Sequence, residues 1–102
     1  MIQLTNSEQW VLGALSDGPK HGYAIAKWVK EQSNGKVDFS GATLHQNLQK
    51  LLEKGLVKED GQREVRPGRR RMVYSIKEGG ARVLREHTRD ALEGGGLAWV
   101  PS

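Results

Sequence analysis

Apolar residues recur along this chain with a helical period in four stretches and alternate with polar ones in a fifth. The first stretch opens on Thr5-Asn6-Ser7-Glu8, the spacing of a capping box, with Thr5 as N-cap and Glu8 reaching back. It predicts a helix to about Ser16, where Asp17-Gly18-Pro19 breaks it. Val11, Leu12 and Leu15 share one face of that helix, and Trp10 and Ala14 form a second strip, so it should touch two neighbours. A second helix is predicted over 21–32. Ile25, Trp28 and Val29 line its inner face; Tyr23, Lys27 and Lys30 lie opposite. Ser33-Asn34-Gly35-Lys36 is a turn. Ser40 is a good N-cap for a third helix over 41–54, with a stripe of Leu44, Leu48, Leu51 and Leu52 and a C-terminal stop at Gly55.

The alternating pattern follows. A short strand is predicted over 56–59 and a second over 72–76, with Met72, Tyr74 and Ile76 on one side. Between them lies a loop rich in glycine and arginine, 60–71. Gly79-Gly80 separates this ribbon from a last helix over 81–93. The apolar side of that helix is thin: Val83, Leu84, Ala91 and Leu92, with His87 and Thr88 among them. Three glycines then lead to a short apolar tail, so the chain divides into a domain over 1–93 and a junction and tail over 94–102. The order is helix, helix, helix, strand, strand, helix: mainly α with a small β-hairpin, a winged helix-turn-helix. In that arrangement the third helix enters a DNA major groove and the hairpin lies along the backbone or in the minor groove.

Charge sharpens this picture. The net charge of +4 is modest, but five arginines fall between Arg63 and Arg71 against Glu64 alone. That focus suits a polyanion, and the plainer alternative is a solvated loop. The outer face of the third helix carries Ala42, Gln46, Gln49 and Glu53, flanked by Thr43, His45 and Lys50. It is polar and nearly uncharged, unlike an ordinary Glu/Lys face. Glutamine pairs with adenine in a major groove, and threonine touches a thymine methyl. Ala42, Thr43, Gln46 and Gln49 are therefore the candidate base readers, and Ser40, His45 and Lys50 the candidate phosphate or base contacts. Lys20, Tyr23 and Lys27 are candidate backbone contacts, although Tyr23 also reads as a half-buried packing residue. Arg66, Arg69, Arg70 and Arg71 are the candidate contacts of the wing.

Other classes recede. The 102 residues suffice for one domain with a modest core. The absence of cysteine excludes disulfides and thiolate zinc sites. No apolar run approaches the roughly 18 residues of a membrane span, and the start lacks the layout of a signal peptide, so a cytoplasmic protein is expected. His21, His45 and His87 fall on three separate helices, with no nucleophile arrangement or phosphate loop, so neither enzyme, metal nor cofactor is expected.

Three stretches also resemble the PadR-type transcriptional regulators. "VLGALSDGPKHGYAIAKWV" is similar to the family's opening, with Gly18, Pro19, His21, Gly22 and Tyr23 at its signature. "FSGATLHQNLQKLLEKGLVK" keeps Ser40, Thr43, Leu44, Leu48, Leu51, Gly55 and Leu56 of its third helix and departs at Ala42, His45 and Gln46. "RPGRRRMVYSIKEGG" matches the wing at Gly68, Arg69, Tyr74, Ile76 and Gly80. The resemblance implies a homodimer that represses from an inverted-repeat operator in double-stranded DNA. It also implies pairing through the last helix against the partner's first. Trp10, Ala14, Leu84, His87, Thr88, Ala91 and Leu92 would line that interface. Some relatives bind a flat apolar effector between subunits through tryptophans, for which Trp10 and Trp99 are the candidates, a structural role for Trp10 weighing more. A winged-helix protein with a partition, architectural or protein-interaction role is the alternative.

Overall fold

A computed structural model describes the backbone of residues 3–93 and the side chains of residues 3–87. Four helices and three strands follow in the order α1 (Asn6–Ser16), β1 (Lys20–His21), α2 (Gly22–Gln32), α3 (Gly41–Glu53), β2 (Val57–Arg66), β3 (Arg69–Ile76) and α4 (Glu78–Glu93). The tail at 94–102, with Trp99, lies outside the described residues.

Helix α1 forms as its cap predicts. The Glu8 backbone N–H donates to Thr5 Oγ1 at 3.1 Å, and the Thr5 N–H donates to Glu8 Oε1 at 2.9 Å. Val11, Leu12, Ala14 and Leu15 are all buried, because α1 packs on α2, α3, α4 and β3 of its own chain. Ile25 and Val29 of α2 and Leu44, Leu48 and Leu51 of α3 complete the core with Leu56, Val57 and Leu84. Helix α3 ends in a Schellman motif. The Leu56 N–H bonds to Leu51 O and the Gly55 N–H to Leu52 O, each at 3.0 Å.

One contact joins the two ends of this helical layer. Glu8 is 1% exposed, and its Oε2 accepts from Lys54 Nζ at 2.8 Å. Lys54 is the C-cap of α3 and also donates to Gln3 O at 3.2 Å. Burial alone would raise the Glu8 pKa. The hydrogen bonds from Lys54 and Thr5, with the charge of Lys54, outweigh it and hold the carboxyl below its ordinary value.

The structure differs from the sequence reading in three ways. It has three strands in the order β1-β3-β2, because Lys20 and His21 pair antiparallel with Tyr74 and Val73. The hairpin is also longer than predicted: 60–71 is ladder, not loop, apart from the turn at Pro67-Gly68. Two bulges place an extra residue in β2, between Glu59 and Gln62 and between Glu64 and Arg66, so β2 breaks the alternation that sequence reading depends on. Finally, Gly79-Gly80 lies inside the first turn of α4. A Cβ at Gly80 would stand 2.2 Å from Leu56 O, so close approach to the chain leaving α3 overrides the poor helix propensity of glycine.

Two stability predictions follow from these contacts. Lys54→Met leaves a buried carboxylate without its partner and should cost about 3 kcal/mol in urea unfolding, the low end for a buried pair because Lys54 is partly exposed. The depressed Glu8 pKa adds stability that is present above the unfolded-state carboxylate pKa and is lost as pH falls through the lower, folded value. The gap between wild type and Glu8→Gln should therefore be widest near neutral pH and close in acid. Separately, Gly80→Ala should lower the urea midpoint by the equivalent of about 2 kcal/mol, since α4 must shift off Leu56.

Candidate nucleic-acid interface

Local chemistry sets the outer faces of α2 and α3. His21 caps α2: its Nδ1 accepts from the Ala24 N–H at 3.4 Å, and its ring stacks on Tyr23 at 6.4 Å between centroids. Tyr23 is 70% exposed, which excludes the half-buried packing reading. Lys27 is exposed one turn on, whereas Lys30 pairs with Asp38 at 3.6 Å. Ser40 caps α3, accepting from the Thr43 N–H at 3.1 Å and donating its own hydroxyl to Thr43 Oγ1 at 3.0 Å. Ser40 is thus engaged within the helix start, and Thr43 keeps its own proton to donate outward. Ala42, His45, Gln46, Gln49 and Lys50 are all exposed.

The wing carries the charge. Arg66 faces Arg69 across the hairpin, and Arg63 faces Arg71; only Arg70 faces a carboxylate, Glu64. Like charges directly opposite on a ladder destabilise it. The Glu64 Oε1 atom also takes the Gly68 N–H at 3.2 Å, tying it to the turn, where Gly68 holds φ +77°. Arg63 is drawn back, donating to Asp60 O at 3.0 Å. No ion pair joins Arg66, Arg69, Arg70 or Arg71 to another described residue. The tip is a set of uncompensated cations on a folded ribbon.

One open groove of about 730 Å³ brings these elements together. Tyr23 and Lys27 from α2, His45 from α3 and Arg71 from β3 stand around it, over a floor that includes Phe39, Leu44 and Tyr74. Burial, and then the nearby negative charge of Glu59, push the Tyr74 phenol pKa upward, so it stays a neutral donor.

Other expected contacts are placed elsewhere. Lys20 faces inward, its side chain 14% exposed, with Nζ donating to Ala14 O at 2.7 Å and Asp17 Oδ2 at 3.0 Å. It satisfies the end of α1 and lies 5.9 Å from the centre of the Trp28 ring, so its ammonium is engaged within its own chain. Ala14 needs no partner subunit for cover: it is 0% exposed in the single chain. Trp10 meets Trp28 edge-on at 6.5 Å, in keeping with a structural role. Leu84 belongs to the core of its own chain, at 7% exposure, and His87 is half-buried. The side chains of Thr88, Ala91 and Leu92 lie outside the described residues. Two features escaped sequence reading. Asn47 is buried on α3, its Nδ2 donating to Thr43 O at 2.9 Å. Val65, the extra residue of the second bulge, is 39% exposed beside the wing tip. Its break in alternation is visible only once the register is known.

The element order, the turn between α2 and α3 and the basic hairpin define a winged helix-turn-helix protein. Over residues 11–86 the sequence matches the transcriptional regulator PadR-like family, and the chain belongs to that family of regulators, which are not enzymes. A Clostridium thermocellum transcriptional regulator shares the fold at TM-score 0.72 and 21% identity, covering 85% of this chain and 83% of that one. A PadR family regulator from Clostridium difficile aligns at 0.74 and 23%, covering 86% and 88%. Bacillus subtilis PadR, solved in complex with operator DNA, aligns at 0.70 and 20% over 80% of this chain; the chain spans only 46% of that protein. Comparison with curated proteins gives no match. Among the described residues, no helix is long and apolar enough to cross a membrane, and no cluster of three His, Cys, Asp or Glu could hold a metal.

Lys20 and Arg70 should separate cleanly by experiment. Lys20→Ala should cost about 1.5 kcal/mol of stability, the worth of charged hydrogen bonds, while eluting from heparin at the wild-type salt concentration. Arg70→Ala should elute at lower salt with its urea midpoint nearly unchanged.

Proposed function

We propose that this protein is a sequence-specific duplex-DNA-binding transcriptional regulator that represses from an inverted-repeat operator as a homodimer. The observation that carries the reading is an arginine-rich wing tip without ion pairs beside an α3 whose outer face is exposed and nearly uncharged, with Arg71 and His45 meeting across one groove. The wing supplies sequence-independent affinity through phosphates, and α3 supplies base contacts. Tyr23, at the start of α2, and Lys27, one turn on, hold the DNA backbone between them. The operator complex of Bacillus subtilis PadR supports the same use of the fold here. Two copies place two α3 helices in successive major grooves, roughly 34 Å apart, which calls for a palindromic target. Family membership and the continuation of α4 beyond Leu84 support the dimer. Residues 1–93 then form one winged-helix unit whose last helix pairs the subunits.

The test is footprinting, together with selection from random duplexes across salt. A palindrome with half-sites one turn apart should emerge, and sedimentation should give a dimer. Arg69→Ala should weaken binding to random duplex as well as to the selected site and reduce the salt slope by about 1. Gln49→Ala should instead lose about 1–3 kcal/mol of discrimination at one base pair and leave the salt slope intact. A monomer with no palindromic preference, or an Arg69→Ala variant with the wild-type slope, refutes the proposal.

A further inference from the structure

Resting on the duplex-DNA reading, we infer that this protein selects A·T base pairs in both grooves: through Gln46 and Gln49 in the major groove, and through the wing arginines in the minor groove of flanking A-tracts.

The first observation is the geometry of α3. Residues 42, 46, 49 and 53 fall along one line of the helix, opposite buried Leu44, Leu48 and Leu51. Along its length this line presents a methyl group and two carboxamides: Ala42 and Gln46 toward the N-terminal end, where base edges are met, and Gln49 one turn further on. A carboxamide offers one donor and one acceptor, the complement of adenine N7 and N6. Guanine shows two acceptors, N7 and O6, and is read by a pair of donors, from arginine or lysine. Helix α3 holds no arginine. Its one lysine, Lys50, lies about 100° around the helix from Gln49, off this line. Thr43 offers a single hydroxyl donor, not the pair that guanine takes, and His45 lines the groove with Arg71. Neither Gln46 nor Gln49 is engaged through its side chain by another described residue, so both carboxamides are available. Ala42 adds a methyl group suited to the thymine methyl.

The second observation is independent of the first. The hairpin ends in a two-residue turn, with Arg66 opposite Arg69 and with Arg70 next in the strand. Their mutual repulsion is relieved most where negative potential is highest, and a narrow A-tract minor groove is that place. Phosphates alone would satisfy these arginines on any sequence, so the composition of the flanks is the discriminating quantity. The minor groove nearest the base-reading helix lies about half a helical turn away, ~5 bp. The half-site should therefore hold an A·T core under α3 and an A·T run about 5 bp from it.

Two base analogues separate the grooves. Inosine·cytosine keeps the major-groove pattern of G·C but has the minor groove of A·T. Diaminopurine·thymine keeps the major-groove pattern of A·T but adds the guanine-type amino group in the minor groove. The experiment starts from the site selected from random duplexes and measures binding by anisotropy. Inosine·cytosine in the core should weaken wild-type binding roughly 10- to 100-fold, and Gln46→Ala or Gln49→Ala should each lose much of that difference. Diaminopurine in the flanks should weaken binding severalfold, an effect that Arg69→Ala combined with Arg70→Ala abolishes; diaminopurine in the core should cost little. A selected core of G·C pairs, glutamine variants with wild-type discrimination, or flanks indifferent to diaminopurine would overturn the inference while leaving a DNA-binding regulator. Failure to bind any duplex would overturn the regulator reading itself.

Discussion

The helical layer depends on one buried ion pair, Glu8 with Lys54. Glu8 closes the capping box of α1, and Lys54 caps the end of α3, so a single 2.8 Å contact fixes the start of the central helix against the end of the outer one. Removing a carboxylate from water costs several kcal/mol, and two hydrogen bonds with an opposite charge offset that cost. Neither end of the pair is free to drift, because each belongs to a helix terminus. Helix α1 touches α2, α3, α4 and β3, so the angle at which α3 leaves the body is referred to the whole core. The proposed base reading needs that reference, since a small rotation of α3 would move Gln46 and Gln49 together.

The sheet is held to the helices by a comparable device. Lys20 and His21 form only two residues of strand, yet each has a second attachment. The ammonium of Lys20 satisfies Ala14 O at the end of α1, and the imidazole of His21 caps α2. The same dipeptide pairs with Tyr74 and Val73, directly below the arginine strand. Thus the turn between α1 and α2 is bonded to the base of the wing. The wing is an arm of the sheet held at its root, and its tip is where stability is given up.

What the sequence disclosed follows from the range of the interactions involved. Thr5, Ser40 and Gly55 are caps, set by bonds spanning three to five residues, and each stands where its neighbours predict it. The winged order likewise followed from the helical and alternating periods along the chain. Long-range contacts were less visible. Nothing local marks Glu8 as buried, since its partner is 46 residues away. The Gly79-Gly80 pair looked like punctuation because glycine usually is, whereas Gly80 lies against Leu56 O. Lys20 looked like a phosphate contact because lysines beside turns often are, yet here three oxygens of its own chain, those of Ala14, Asp17 and Gly18, take the ammonium. Ala14 seemed to need a partner because a strip on a helix cannot say which neighbour covers it. On the outer faces, exposure was legible for Gln46 and Gln49 and charge for the arginines; Tyr23 stood between a packing and a contact reading, and the ladder that carries the arginines was not visible. Bulges at Gly61 and Val65 erase the period-two signal of β2.

The arginine ribbon is where local rules and the fold disagree, and the disagreement is informative. Cross-strand Arg66–Arg69 and Arg63–Arg71 pairs oppose hairpin formation, and the two bulges weaken the ladder further. A hairpin selected for stability alone would alternate the signs. This one keeps Glu64 as its only acid near the tip, and that acid bonds to the turn N–H of Gly68. Stability lost within the ribbon is regained only against an external anion, so binding and ordering of the tip are coupled in sign: whatever polyanion neutralises these arginines also favours the extended hairpin. The opposite arrangement holds at α3, where the outer face carries almost no charge and the helix is fixed by its caps and by Glu8. The two halves of the interface therefore divide the work physically. In the proposed reading the wing supplies attraction that falls with salt, and the rigid, nearly neutral helix supplies the major-groove contacts.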